Sequence, residues 1–227
     1  MIKLYEKANL KGHALINYKK ELSKKGLTQE QKDILIGTLL GDASMQAMKE
    51  NQNSNIKFEQ SISKKSYINH LYEMSYGRLG IPPLIRNIKG GNAKDRQSVR
   101  SGAYRHTSFT FCERQSHNID DKGKQYKVVP KLIHRWLTPR SLAYWFMDDG
   151  SYVSNAYYFH TQGFKLKDVE KLKQVLYKNF SIQSNLHKDR GKYKLYILTE
   201  SNGKFKEIIE EYIQPCFLYK IHSSSKN

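Results

Sequence analysis

Twice along this chain a capped, almost wholly apolar segment of helical length runs straight into an aspartate. TQEQKDILIGTLLGDA begins at Thr28, with Thr28 and Gln31 at capping-box spacing, and stays apolar nearly to Asp42. TPRSLAYWFMDDG begins at Thr138, a natural N-cap, has Pro139 at the first helical position, and ends at Asp149 and Gly150. Helices this apolar must be buried on more than one side. One such helix ending on an aspartate is an ordinary core helix; two at matching places constrain the whole fold.

The segments after each helix match as well. SMQAMK and SNIKFEQ, then SYVS and AYYFHTQ, have the length and partial alternation of paired strands, each pair followed by a helical stretch, KKSYINHLYEMSYGRLG or KLKDVEKLKQVLYKNF. A second hairpin is expected from PPLIRNIKGG with RQSVRSGAYRHTSF, and another from SNLHKDRGKYKLYIL, turning at Asp189 to Lys192 around Gly191. GKFKEIIEEYI closes the second copy as a helix. The repeated unit reads α-β-β-α-β-β-α, so the fold class is α+β, in two diverged halves that each carry a four-stranded antiparallel saddle. The expected boundaries are a basic N-terminal arm at 1–27, a first half at 28–119, a joining segment at 120–137, a second half at 138–222 and a tail at 223–227.

Charge narrows the partner. Thirty-nine Lys and Arg against 21 Asp and Glu leave a formal net charge of +18 among 227 residues, spread along the whole chain. This favours a nucleic acid over a membrane surface, which would select one amphipathic helix. No window reaches the roughly 18 apolar residues of a membrane span, and the start MIKLYEKANL lacks a signal-peptide core. Cys112 and Cys216 form no C-x-x-C pattern, and the eight histidines, His106, His117, His134 and His160 among them, show no compact ligand spacing. A histidine-metal nuclease is therefore disfavoured. A purely structural basic protein would not need two acidic helix ends in register.

If the two helices pack side by side, Asp42 and Asp149 converge at one end, with Gly37 and Gly41 permitting close backbone approach. Two carboxylates brought together repel each other unless a cation lies between them, and their hard oxygens suit Mg²⁺. On a polyanion-binding protein this points to metal-assisted phosphodiester hydrolysis. Asp148 competes with Asp149 as the ligand on sequence grounds.

LIGTLLGDA (35–43) and LAYWFMDDG (142–150) resemble the paired motifs of single-chain LAGLIDADG homing endonucleases. The second matches the signature at Leu142, Ala143, Asp149 and Gly150, and the first at Leu35 and Asp42. The first motif departs at Ala43, which replaces the glycine after Asp42; Gly41 is replaced by Asp148 in the second motif and Gly37 faces Tyr144, so the helix interface cannot be symmetric. LTPRSLAYWFMDDG, HTQGF and YKI extend the likeness over nearly the whole chain.

The resemblance implies a monomeric, Mg²⁺-dependent endonuclease that makes a staggered double-strand break in a long asymmetric DNA target and promotes intron homing, with Mn²⁺ or Ca²⁺ able to replace Mg²⁺ for binding. It places Asp42 and Asp149 as metal ligands and, by the signature's spacing, prefers Asp149 to Asp148. Lys127 in YKVVP and Lys220 in LYKI match the family's active-site lysines; Glu59 in KFEQ and Gln162 in HTQGF match the flanking polar residues. The saddles then suggest DNA contacts from Arg86, Lys89, Arg96, Arg100 and Arg105 in the first half and Lys188, Arg190, Lys192 and Lys194 in the second. An RNA maturase or a non-cleaving DNA-binding protein on the same scaffold is the alternative. Resemblance and a bias toward Lys, Asn, Ile and Tyr suggest mitochondrial encoding, with a chloroplast or bacterial origin as the other possibilities.

Overall fold

The computed structural model describes residues 11–46, 52–75, 80–88 and 96–221. Its elements, in order, are α1 (Gly12–Lys24), α2 (Gln29–Leu40), β1 (Ser44–Gln46), β2 (Asn55–Ser61), α3 (Lys65–His70), β3 (Gly80–Asn87), β4 (Gln97–Ala103) and α4 (Thr107–Ser116). There follow β5 (His117–Ile119), β6 (Gln125–Lys127), α5 (Ile133–Trp136), α6 (Pro139–Asp149), β7 (Gly150–Val153), β8 (Ala156–Phe159), α7 (Leu166–Phe180), β9 (Ser184–Asp189), β10 (Lys192–Ile197) and α8 (Asn202–Glu210). The order α2-β1-β2-α3-β3-β4-α4 recurs as α6-β7-β8-α7-β9-β10-α8, the duplicated α+β unit that the sequence predicts. Among the described residues no helix is long and apolar enough to cross a membrane.

Contacts divide the chain into two compact units, one of residues 1–31 and 43–113, the other of residues 32–42 and 114–227. In the first, the sheet order is β1-β2-β4-β3, antiparallel throughout, with a register shift between Ile81 and Leu84 where Pro82 and Pro83 remove two ladder donors. Ile56, Phe58, Val99 and Ala103 project from one face of this sheet, and Tyr67 and Ile68 of α3 pack there. The next turn, Leu71–Ser75, widens to a π-helix.

In the second unit the sheet order β7-β8-β10-β9 repeats the pattern. The β9–β10 hairpin turns through Arg190 and Gly191 at φ of +50° and +79°, the left-handed pair of a type I′ turn. α7 packs on β9 and β10 through Val169, Leu172, Val175 and Leu176, all buried. α6 contributes Trp145, stacked on Phe159 at 3.9 Å between ring centroids, and Phe146, edge-on to Phe205 of α8 at 5.2 Å. Buried aromatics of this size contribute large apolar areas to the packing of α6, beside Leu142 and Met147, which are buried too.

α2 is buried continuously from Asp33 to Leu40, as an all-round apolar helix requires, and it lies against α6 within the second unit. A Cβ on Gly37 would come within 2.7 Å of the Tyr144 Cβ, closer than any side chain tolerates. Small faces large along this seam, so the interface is close without being symmetric. Both helices start in capping boxes. Thr28 and Gln31 exchange N–H to side-chain bonds of 3.1 and 3.2 Å, and Thr138 and Ser141 do so at 2.6 and 3.2 Å.

Candidate active site

Asp42 follows the end of α2, and Asp149 is the last residue of α6. The two helix ends meet: the backbone N–H of Asp42 donates to Asp148 Oδ2 at 3.3 Å, and a Cβ on Gly41 would lie 2.7 Å from that same oxygen. Asp148 thus fills the space that Gly41 leaves and holds the chain where Asp42 emerges. Asp42 is exposed and Asp149 half-buried. Burial first, and then the nearby negative charge of Asp42, push the Asp149 carboxyl up to about 7, while Lys127 and Lys220 pull it down.

A lysine lies over each helix end. Lys127 Nζ donates to the Gly41 carbonyl at 2.6 Å, and Lys220 Nζ to the Met147 carbonyl at 2.7 Å. The last carbonyls of a helix lack partners within it and carry the negative end of its dipole, so an ammonium there satisfies an acceptor and offsets charge that two carboxylates would worsen. Burial lowers the Lys127 pKa, opposed by Asp149, Asp42 and Asp148.

Different devices deliver the two ammonium groups. Lys127 ends the β5–β6 hairpin, paired with His117, and the next residue, Val128, donates to Ser116 O at 2.8 Å. Lys220 ends the 3₁₀ turn Pro215–Lys220, which is tied to the core by a 3.2 Å bond from Gln214 N–H to Met147 Sδ. The β5–β6 hairpin lies within 120–137 and just before it, a span read from sequence only as a joining segment.

These side chains fit a divalent cation. Among the described residues no group of three or more His, Cys, Asp or Glu gathers at one point. A metal at this site would therefore be held by carboxylate oxygens from Asp42 and Asp149 and completed by water and phosphate, the hard-oxygen set that suits Mg²⁺. A cation between the two acids would also relieve the repulsion that raises the Asp149 carboxyl.

The flanking residues face other partners. Gln162 Nε2 donates to Asp189 Oδ2 at 2.9 Å, and Lys194 Nζ approaches the same oxygen at 3.0 Å; both hold the Asp189 carboxyl below its ordinary range. Glu59, in the first unit, accepts from Ser98 Oγ at 2.7 Å and pairs with Arg86 at 3.3 Å. Sequence reading singled out neither Asp189 nor Ser98 as a site residue, because only strand register brings them to Gln162 and Glu59.

Alternation sorts the basic residues. Arg86, Arg100 and Glu59 share the open face of the first sheet, where Glu59 and Arg100 stand directly opposite; Arg96 continues that side, its carbonyl accepting from Ile88 N–H at 2.9 Å. In the second sheet Lys192 and Lys194 share the open face with Asp189, His187, Tyr158 and Tyr196, the last two stacked at 5.6 Å. Lys188 stands opposite Tyr193 and so projects from the other face, since neighbouring strand residues point oppositely. Arg190 sits in the turn, Arg105 lies beyond β4 and bonds Gln52, and Lys89 is outside the described residues. Leu84 and Ile81, exposed on the first open face, and the Tyr158–Tyr196 pair are face residues that a search for basic side chains passes over.

The profile of the LAGLIDADG DNA endonuclease family matches residues 32–205. The chain is 30% identical over 197 residues to the cytochrome b mRNA maturase bI2 of Saccharomyces cerevisiae, covering 83% of this chain and 46% of that protein, so it spans less than half the length of that relative. It is 30% identical to the protein of the same name from Debaryomyces hansenii, over 97% of this chain and 82% of the other. Among solved structures, the homing endonuclease I-WcaI bound to its DNA recognition sequence aligns with a TM-score of 0.86 at 26% identity, covering 98% of this chain and 99% of that one. With both motifs, the duplicated unit and this profile match in agreement, the chain belongs to the LAGLIDADG DNA endonuclease family.

Proposed function

We propose that this protein is a site-specific homing endonuclease that makes a staggered double-strand break in a long asymmetric DNA target by Mg²⁺-dependent phosphodiester hydrolysis. The observation that carries the reading is the meeting of Asp42 and Asp149 at two packed helix ends, each helix end bound by a lysine. Asp42 and Asp149 would hold the metal, which when bound supplies Lewis acidity at the scissile phosphate. Lys127 and Lys220, each already fixed on a carbonyl, place positive charge where the phosphate oxygens gain negative charge or where water must be ordered. Arg86, Arg96 and Arg100 in one half and Lys192 and Lys194 in the other would line the DNA, with residues 28–119 and 138–222 as the two halves, acting as a monomer. The similarity to I-WcaI in complex with DNA supports the partner, and the likeness to yeast cytochrome b maturases supports mitochondrial encoding.

Cleavage of a randomised or intron-insertion-site DNA library with Mg²⁺ tests the reading, comparing the intact chain with Asp42→Asn and Asp149→Asn. Loss of double-strand cleavage in both variants with binding retained is expected. Cleavage that survives both substitutions would show that other acids act. A second reading, an RNA maturase, is favoured by the names of the two yeast relatives; binding without cleavage by the intact chain would select that reading or a non-cleaving DNA-binding protein on the same scaffold.

A further inference from the structure

A cavity of about 490 Å³ in the second unit lies between the first turn of α7 and the segment that follows β6. Arg114, Lys131, Lys167 and Lys171 line it, with Val128 and Val129 as an apolar wall. Among the described residues none of the four cations is within ion-pair distance of a carboxylate. Four like charges around one cavity raise the free energy of the empty site, and an anion lowers it.

Gln115, Asn118 and Asp168 complete the lining, and the carboxylate is the informative one. Asp168, in the first turn of α7, is only 4% exposed, and its Oδ2 is buried with no hydrogen-bond partner. A buried carboxylate oxygen without a donor is left with its desolvation uncompensated. A phosphodiester group alone offers no donor and would be repelled by it. The ligand must therefore carry an anion for the lysines and a hydrogen-bond donor for Asp168. A ribonucleotide unit has both, phosphate and 2′-hydroxyl, whereas a DNA backbone has only acceptors. The volume suits a single nucleotide unit, and the valine wall suits a base or sugar face.

We infer that this cavity is a ribonucleotide-binding site, used by single-stranded RNA, in which Lys131, Lys167, Lys171 and Arg114 hold phosphate and Asp168 accepts from the 2′-hydroxyl. It is separate from the paired carboxylates and from the open face of the β7-β8-β10-β9 sheet, because α7 packs on the opposite face. Its wall at Val128 is nonetheless the residue next to Lys127.

The test is fluorescence anisotropy of the full chain with a short single-stranded RNA, with DNA of the same sequence, and with a ribonucleoside monophosphate as competitor. The intact chain is expected to prefer RNA by about tenfold. Lys131→Ala with Lys171→Ala should weaken RNA binding about tenfold and flatten the slope of log K against log salt by about 1.4, or 0.7 for each lysine, with duplex cleavage unchanged. Asp168→Leu, which removes the acceptor, should bring RNA and DNA affinities together. Displacement of RNA by the monophosphate would show a site for one nucleotide; displacement only by longer RNA would show that the strand is the ligand, and both support the inference. Unchanged RNA binding in the lysine variant, or equal binding of RNA and DNA by the intact chain, overturns it. Lys131 is exposed and Lys171 half-buried, and neither is a core residue, so this arm stands even where Asp168→Leu does not fold. Failure of the cleavage reading leaves the binding measurement intact.

Discussion

The ends of α2 and α6 occupy equivalent places in the two copies of the repeat, yet they solve the same packing problem differently. α2 presents Gly37 and Gly41; α6 presents Tyr144 and Asp148 to fill the space they leave. Asp42 then emerges exposed while Asp149 is half-buried under opposing influences from Asp42 and two lysines. After Asp42 comes Ala43, buried and accommodated; after Asp149, a methyl at Gly150 would run into the Phe146 ring. Duplication preserves the backbone path, and side-chain volume is then redistributed between the copies.

The largest expected effect comes from forcing the copies to be alike. Gly37→Leu puts a side chain where even a Cβ meets Tyr144 and the Ser141 carbonyl, so it should cost about 3 kcal/mol or more, read as a lowered denaturant midpoint. A loss below about 1 kcal/mol would mean the seam yields. Next comes the acid pair. Because the folded state raises the Asp149 carboxyl to about 7, its ionisation opposes folding. Without metal, the contribution of this group is fully present below its unfolded value of about 4 and is lost as pH rises through 7. Asp149→Asn should therefore stabilise the metal-free protein by on the order of 1–3 kcal/mol at pH 8 and by little at pH 4, less than the full shift because an amide must also be desolvated. Asp42→Asn, at an exposed position, should move stability less; equal effects would erase the contrast drawn here. Smallest is the pair of caps: Thr138→Ala is expected to cost about 1–2 kcal/mol and the more exposed Thr28→Ala about 0.5–1, both measured by thermal melts.

What could be read from sequence follows from range. The capping box at Thr28, the Thr138 N-cap, the turn around Gly191 and the apolar helices are set by residues within a few positions of each other, and the repeat doubles the helix signal. The partners of Gln162 and Glu59 depend on strand register across separations of 27 and 39 residues, which no local pattern encodes. Lys188 shows the same limit: four basic residues around a turn look alike in sequence, but period-two alternation sends Lys188 to the face away from Lys192 and Lys194. Lys127 and Lys220 are singled out through resemblance alone, and their bonds to helix carbonyls are not legible in the sequence, because a hairpin supplies one and a 3₁₀ turn the other.

The junction of α6 and β7 has a mechanical consequence. Asp149 closes the helix and Gly150 opens the strand with no residue between them, while His160 at the end of β8 donates to the Asp149 carbonyl at 2.8 Å. The acid therefore rides on the sheet as a pawl rides on its ratchet, with no slack to absorb motion. Were the open face to bind DNA as proposed, a displacement of the β7–β8 pair would be passed on to this carboxylate, so that grip and chemistry would be mechanically linked.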